Sequence, residues 1–249
     1  MKYKALILDL DGTTIPLGLD SHPSDRVLAA IGKAQNKIHV CVATGRPLFI
    51  AKRVISELGL RSLCSVHDST QLYDAGRAVI IDTISLDRTL ADQAYGIIRQ
   101  FKPNVVLIGE GETEHEYTGG SWSELLTDLA MPDLAESVAD ELIQHLTRVS
   151  GIAVHKNPSF KKGLFWVSVT NALATKLHAV VRIAELLKIH TDEIIGVGDS
   201  YNDYPLLSAC GLKIAMGNAV PELKAIADFI APSVDEDGVA TVIEKFILT

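Results

Sequence analysis

The sequence predicts an α/β fold: a parallel sheet with helices on both faces, interrupted midway by a smaller α+β module. Three observations predict it. The first and last thirds of the chain each alternate apolar runs of strand length with amphipathic stretches of helix length, the βαβα pattern that builds parallel sheets. The middle, from about Asp82 to Val169, loses that alternation. Acidic residues follow directly on the apolar runs, at Asp9, Asp11 and Asp199, where a strand ends and an open α/β sheet binds its ligands. The expected layout is a core made of residues 1–81 and 170–249, with residues 82–169 inserted between them.

The elements follow in order. Leu6-Ile7-Leu8, bounded by Gly12, reads as a buried strand. Ser24 can cap a helix running to about Gln35, with Val27, Leu28 and Ile31 on its apolar face. Ile38 to Val42 is a second strand, Thr44-Gly45-Arg46-Pro47 turns into a helix that Gly59 stops, and Leu63 to Val66 is a third strand. In the last third, Thr175 can cap a helix to about Lys188, followed by a strand at Ile194–Gly198 and a helix from Tyr201 to Cys210, stopped by Gly211. A strand at Leu212–Met216, a helix opened by Pro221, a short strand at Phe229–Ala231 and a helix at Val239–Ile247 complete the chain. The middle holds helical stretches near Leu90–Gln100 and Asp133–Val149. Strand-like segments lie near Val105–Gly109, Ile152–His155 and Gly163–Val169, and Gly109–Gly120 is a polar, Gly-rich hairpin or mobile loop.

Composition narrows the function classes. The 249 residues suit one large or two modest domains, and 47% hydrophobic with 22% charged residues is ordinary for a chain that buries a core. The formal net charge is −8, with no Lys/Arg block, which argues against nucleic acid or an anionic membrane as the main partner. Cys41, Cys64 and Cys210 are odd in number and widely spaced, so neither a disulfide framework nor a zinc ribbon is expected, and Cys41 and Cys210 read as small core residues. The N-terminus reads as a strand rather than a signal peptide, and no apolar stretch approaches the ~18 residues of a membrane span. The expectation is a soluble, cytoplasmic protein.

Four segments carry chemistry. Asp9 and Asp11 repel each other, and burial sharpens the repulsion, so a divalent cation is the simplest partner. Thr44 and Gly45 follow the second strand, where a hydroxyl and backbone N–H groups can hold a phosphate oxygen. Lys176 sits in the first turn of a helix, against the macrodipole, an oddity explained if it faces carboxylates and phosphate. Asp199 leaves the strand end in Gly196-Val197-Gly198-Asp199-Ser200-Tyr201-Asn202-Asp203, with Asp203 one helical turn on and Asn202 a neutral hydrogen-bonding group beside it. Singly, each has a plainer reading: a solvated turn, a Thr helix cap, an exposed Lys. Gly196 and Gly198 would let backbone pass close to a ligand, but no third Gly makes a dinucleotide fingerprint.

Together, Asp9-Leu10-Asp11-Gly12-Thr13, Thr44-Gly45-Arg46, Lys176 and Gly198-Asp199-Ser200-Tyr201-Asn202-Asp203 resemble, in order, the motifs of the haloacid dehalogenase (HAD) superfamily. The resemblance is closer to its Cof-type phosphatase branch, through Ile214-Ala215-Met216-Gly217-Asn218-Ala219 and Glu236-Asp237-Gly238-Val239-Ala240. It implies a Rossmann-like core with an inserted C2-type cap. It also implies Mg²⁺ held by the carboxylates of Asp9 and Asp199 and the backbone carbonyl of Asp11, with Asp203 and Asn202 in support. Asp9 would attack the phosphorus of a small phosphorylated metabolite and form an aspartyl-phosphate, with Asp11 as general acid and base. Thr44, Gly45 and Lys176 would hold the phosphate. A phosphotransferase or phosphomutase on the same core is the alternative, and a phospho-accepting signalling switch a more distant one. Cof-type relatives commonly carry Asn-Gly after the third strand, where this chain has His67-Asp68-Ser69; consecutive residues on an extended chain alternate faces, which argues against a catalytic triad there. Trp122, Trp166, His115, His155 and Tyr117 of the insert could face a substrate, but packing or exposure is the commoner fate of such residues.

Overall fold

The computed structural model describes residues 2–249. The chain forms two compact units, one of residues up to Ile81 together with Lys176–Thr249, the other Asp82–Thr175. The first unit begins with β1 (Ala5–Leu8), α1 (Asp25–Ala34), β2 (His39–Ala43), α2 (Leu48–Glu57) and β3 (Leu63–Val66), followed by β4 (Gln71–Asp74) and β5 (Val79–Thr83), whose last two residues fall in the second unit. The second contains α3 (Arg88–Ile98), β6 (Leu107–Glu110), β7 (Thr113–Glu116), β8 (Leu126–Ala135), α4 (Glu136–Leu146), β9 (Ile152–Pro158) and β10 (Leu164–Asn171). The first unit resumes with α5 (Lys176–Leu187), β11 (Ile194–Gly198), α6 (Tyr204–Ala209), β12 (Leu212–Ala215), α7 (Pro221–Ile226), β13 (Phe229–Ile230) and α8 (Gly238–Phe246).

The core sheet runs β13-β12-β11-β1-β2-β3-β4-β5. Its first six strands are parallel and β4 is antiparallel to β3. From β1 the chain steps one way through β2 and β3, and later the other way from β11 through β12 to β13. Right-handed crossovers therefore put α1 and α2 on one face and α6 and α7 on the other. α8 packs on α1, and α5 on α6. β1 lies at the switch point between the two directions, and all four of its residues are fully buried. α1 shows how local sequence sets an element: Ser24 accepts the Val27 N–H as N-cap, and Val27, Ala30, Ile31 and Ala34 form the buried stripe. All three cysteines are buried and unbridged; burial pushes the Cys41 thiol up to about 11 and Cys210 up to about 12, as expected for inert core residues.

The inserted unit is a five-stranded sheet, β7-β6-β8-β10-β9, with antiparallel pairing throughout and α3 and α4 packed on it. Leu129, Met131, Val167 and Val169 supply the sheet side of its own hydrophobic core. Two readings of this region change. The helix expected over Asp133–Val149 starts only at Glu136, because the preceding residues belong to β8. Asp133 resembles a helix cap, yet it has φ +57° at a bulge opposite β10, and its carboxylate accepts from the Ser159 hydroxyl and Lys161 Nζ, both at 2.6 Å. Strand pairing has overridden a local preference. The Gly109–Gly120 stretch is in part the β6–β7 hairpin. Among the described residues no helix is long and apolar enough to cross a membrane.

Candidate active site

The carboxyl ends of β1 and β11 carry the acidic residues. Asp9 follows β1 and hydrogen-bonds through its backbone N–H to Val197 of β11. The chain then turns tightly: the Gly12 N–H donates to the Ile15 carbonyl and the Thr14 N–H to the Leu10 carbonyl. Thr14 Oγ1 closes the turn on the Asp9 carbonyl at 2.6 Å. Lys176, the first residue of α5, is buried and donates to Asp9 Oδ1 at 2.6 Å and to Asp203 Oδ1 at 2.5 Å. Its unfavourable place at a helix start is thereby explained: an ion-paired ammonium outweighs a macrodipole cost of about 0.3–1 kcal/mol.

Asp203 ends a short 3₁₀ turn, Tyr201–Asp203, and is fully buried. Its Oδ2 accepts the backbone N–H of Asp199 at 2.9 Å and of Ser200 at 3.0 Å. Both of its oxygens are thus committed, which makes it a brace for Lys176 and the Asp199 loop. Asn202 lies half-buried in the same turn. The helix expected from Tyr201 begins only at Tyr204, after this turn. Asp199 accepts from Thr13 Oγ1 at 2.6 Å, so the two loops are tied across the sheet switch point.

Carboxylate oxygens of Asp9, Asp199 and Asp203 lie within 4.8 Å of one another. Three acids around one ammonium leave surplus negative charge. Burial, then Asp203, pushes the Asp199 carboxyl up to about 7. Burial likewise raises Asp9 well above the usual carboxylate range, with Asp203 and Asp199 adding to it against the pull of Lys176. Burial alone would lower Lys176, but Asp203 and Asp9 outweigh it and hold the ammonium charged. An all-oxygen set carrying excess charge suits a hard divalent cation such as Mg²⁺. Of the acids, Asp9 and Asp199 have the freer oxygens; Asp203 already accepts three hydrogen bonds.

Gly12 sets the tightness of this arrangement. It has φ +78°, and a Cβ there would lie 2.5 Å from Asp199 Oδ2. Gly12→Ala is expected to cost about 1–2 kcal/mol of stability from the left-handed backbone and to lower turnover about 10–100-fold by displacing Asp199. Gly59→Ala is the control, with φ +60° and nothing within 4 Å of its Cβ: it should lose stability and keep its turnover number. Equal kinetics for the two variants would sink this account. Gly198 has a similar role, since a Cβ there would strike the Asp203 side chain at 2.5 Å; the glycine makes room for the protein's own acid rather than for a ligand.

Thr44 and Gly45 follow β2. Thr44 is buried and does not cap α2, whose N-cap is Pro47; instead its hydroxyl accepts the Arg46 N–H at 3.1 Å. Asp11 is not turned toward the acidic cluster's lysine. Its carboxylate is held by Arg46, Nε to Oδ2 at 2.7 Å and Nη2 to Oδ1 at 2.5 Å. Arg46 stands within a recognised motif, yet the sequence alone gives it no role; its partner, 35 residues away, is visible only in the fold. Thr13 and Asn218 were likewise legible only as motif letters. Asn218 donates to the Gly12 carbonyl at 2.8 Å and accepts from the Val234 N–H at 2.9 Å, bracing the Gly12 turn.

His67-Asp68-Ser69 is not the extended run that the sequence leads one to expect. All three have positive φ, +56°, +48° and +67°, in a left-handed turn between β3 and β4. The turn docks on the Thr44 loop, with the His67 N–H donating to the Arg46 carbonyl at 2.8 Å and the Asp68 N–H to the Gly45 carbonyl at 3.3 Å.

Known proteins with this architecture fit the same frame. A Bacillus subtilis relative, 5-amino-6-(5-phospho-D-ribitylamino)uracil phosphatase YcsE, is 25% identical over 256 residues, covering 98% of this chain and 96% of its own. A haloacid dehalogenase-like hydrolase from B. subtilis superposes with a TM-score of 0.82 at 20% identity, over 98% of this chain and 99% of its own. The HAD subclass IIB sugar phosphatase BT4131 gives 0.75 at 19% identity, over 98% of each chain. At these identities the two structures speak for the fold alone. The sequence model of one family, the haloacid dehalogenase-like hydrolases, matches residues 6–118 and 121–243, taking in all four motif segments. The resemblance drawn from Asp9, Thr44, Lys176 and Asp199 therefore holds, and the chain belongs to the haloacid dehalogenase-like hydrolases.

Proposed function

We propose that this chain hydrolyses small phosphate monoesters, sugar phosphates among them, with Asp9 as nucleophile and Asp11 as general acid and base. What carries this is the Asp9 carboxylate: Oδ1 is fixed by Lys176, while Oδ2 accepts no hydrogen bond among the described residues and keeps its lone pairs for phosphorus. In the first step an Asp9 oxygen bonds to phosphorus. The ester P–O bond breaks, and the leaving oxygen takes the proton of the Asp11 carboxyl. In the second, water attacks phosphorus and gives its proton to the Asp11 carboxylate. The bond between phosphorus and Asp9 then breaks, releasing inorganic phosphate. Lys176 offsets charge repulsion between Asp9 and the phosphate dianion, and Thr44, Gly45 and Asn202 are proposed to hold its oxygens.

Asp9, Asp199 and the Asp11 carbonyl would hold Mg²⁺, with Asp203 in support; when bound, the ion would neutralise phosphate charge beside the nucleophile. The inserted unit is read as a C2-type cap on which substrate choice rests. Similar proteins include a sugar phosphatase and a 5-amino-6-(5-phospho-D-ribitylamino)uracil phosphatase, which supports a small phosphorylated substrate. A phosphomonoester panel tests the proposal. Inorganic phosphate should appear with Mg²⁺ and fall to background in EDTA; transfer to an added alcohol with no free phosphate would instead indicate a phosphotransferase.

Metal binding should also show in stability. Without a cation, the raised Asp199 means the folded state holds a proton that the unfolded chain releases at ordinary carboxylate pH. The stability this provides is complete below about pH 4 and is lost as pH rises through about 7. A cation removes the need for that proton. The increase in Tm on adding Mg²⁺ should therefore be small at pH 5, grow through pH 7 and level off above. An increase that is flat across this range would contradict the acidic cluster as the binding site.

A further inference from the structure

Arg46 is the most fully anchored side chain near the site that the mechanism above leaves without a task. It is 5% exposed. Its guanidinium grips both oxygens of Asp11, and Nη2 also donates to the Gly18 carbonyl at 2.7 Å. Its own N–H is held by the Thr44 hydroxyl. The His67 N–H holds its carbonyl. A two-point fork fixes the plane of a carboxylate as a single contact cannot, and an arginine anchored at its backbone and its tip has no freedom to follow a wandering partner.

We infer that Arg46 is a positioning residue for the proton-transfer carboxylate: it sets the orientation of Asp11, and through Asp11 the part of the reaction that depends on proton transfer to the leaving group. This rests on the reading of Asp11 as acid and base given above. A carboxylate has about four lone-pair sites, all in its own plane, and the fork takes two, so the remaining two point in directions that the fork fixes. Arg46 is assigned no contact with the phosphate. Loss of its fork should therefore be felt where a proton must reach the leaving oxygen, and not where the leaving group departs unaided.

The test is leaving-group dependence. Arg46→Lys and Arg46→Gln, each checked for folding by circular dichroism, are compared with wild type on p-nitrophenyl phosphate and on the best alkyl phosphate of the panel. The parameter kcat/KM reports steps through phosphoryl transfer to Asp9. For the alkyl ester, whose alkoxide needs a proton, it should fall about 10–100-fold, a part of the 100–10,000-fold typical of general acid–base catalysis. For the aryl ester, which leaves as a stable phenolate, kcat/KM should stay within about 3-fold. Its kcat should still fall, because hydrolysis of the phosphoenzyme uses Asp11 as base with either substrate. Lysine, able to donate to one oxygen, should lose less than glutamine.

Equal losses of kcat/KM on both esters would overturn the inference, since phosphate binding or a general defect in the fold predicts that result. No change on either ester would overturn it as well. Asp11→Asn separates this inference from the reading beneath it. If that variant shows no leaving-group dependence, Asp11 is not the acid; if it does and the Arg46 variants do not, only the positioning role fails.

Discussion

Asp9→Asn should abolish turnover, lowering kcat by ~10³-fold or more, because an amide oxygen is too weak a nucleophile to displace an alkoxide from phosphorus. The substitution is nearly isosteric, so Lys176 keeps an oxygen to donate to. One of three crowded negative charges disappears, and inorganic phosphate should bind at least as tightly as to wild type, measured by calorimetry with Mg²⁺ present. Loss of turnover together with retained phosphate binding separates a missing nucleophile from a collapsed site. Hydrolysis above a few per cent of the wild-type rate would sink Asp9 as the attacking group. So would a phosphorylated protein intermediate trapped on any other residue.

Lys176→Met is the second large effect, and it reaches stability as well as rate. The buried ammonium bonds two buried carboxylates, Asp9 and Asp203. Removing it leaves those acids facing each other without a counter-charge, and breaking a buried ion pair from one side costs about 3–5 kcal/mol. Relief of the helix-start penalty returns only about 0.3–1 kcal/mol, so destabilisation wins. For a chain of this size the loss corresponds to a fall in Tm of about 6–20 °C. The sign of its pH dependence is fixed: burial already raises the Asp9 carboxyl and Lys176 is what pulls it down, so without the ammonium Asp9 folds best protonated and the deficit against wild type should shrink as pH falls from 8 to 5. Adding Asp203→Asn to Lys176→Met should restore part of the stability but none of the activity. A Tm within about 2 °C of wild type would contradict the ion-paired centre.

The two variants probe different layers of one cluster, and those layers differed in how far the sequence disclosed them. β1 and β11 were legible because strands buried on both faces are written as unbroken apolar runs, Ala5–Leu8 and Ile194–Gly198, and the acids that follow are marked by position alone. Lys176 was legible as an anomaly: a cation where a helix disfavours one. β4, β5 and β8 were not foreseen. β8 contains Pro132 and Asp133, which in isolation signal a turn or cap, and only pairing with β6 and β10 makes the segment a strand. The left-handed path at His67–Ser69 was equally hidden, since non-glycine residues give no local sign that docking on the Gly45–Arg46 backbone will hold them there.

By itself the sequence determined the α/β class, the insertion, the family, and which residue types stand at the strand ends, because periodicity and motif order are one-dimensional properties. Only the tertiary structure decided how those residues divide their work: Asp203 as a brace for Lys176 and the Asp199 loop, Thr13 as the tie to Asp199, and Arg46 as the grip on Asp11. The physical reason is range. A strand is set by its own few residues, whereas a carboxylate's partner is set by which distant loops the sheet brings within about 3 Å, and hydrogen-bond geometry leaves no trace in the spacing of letters.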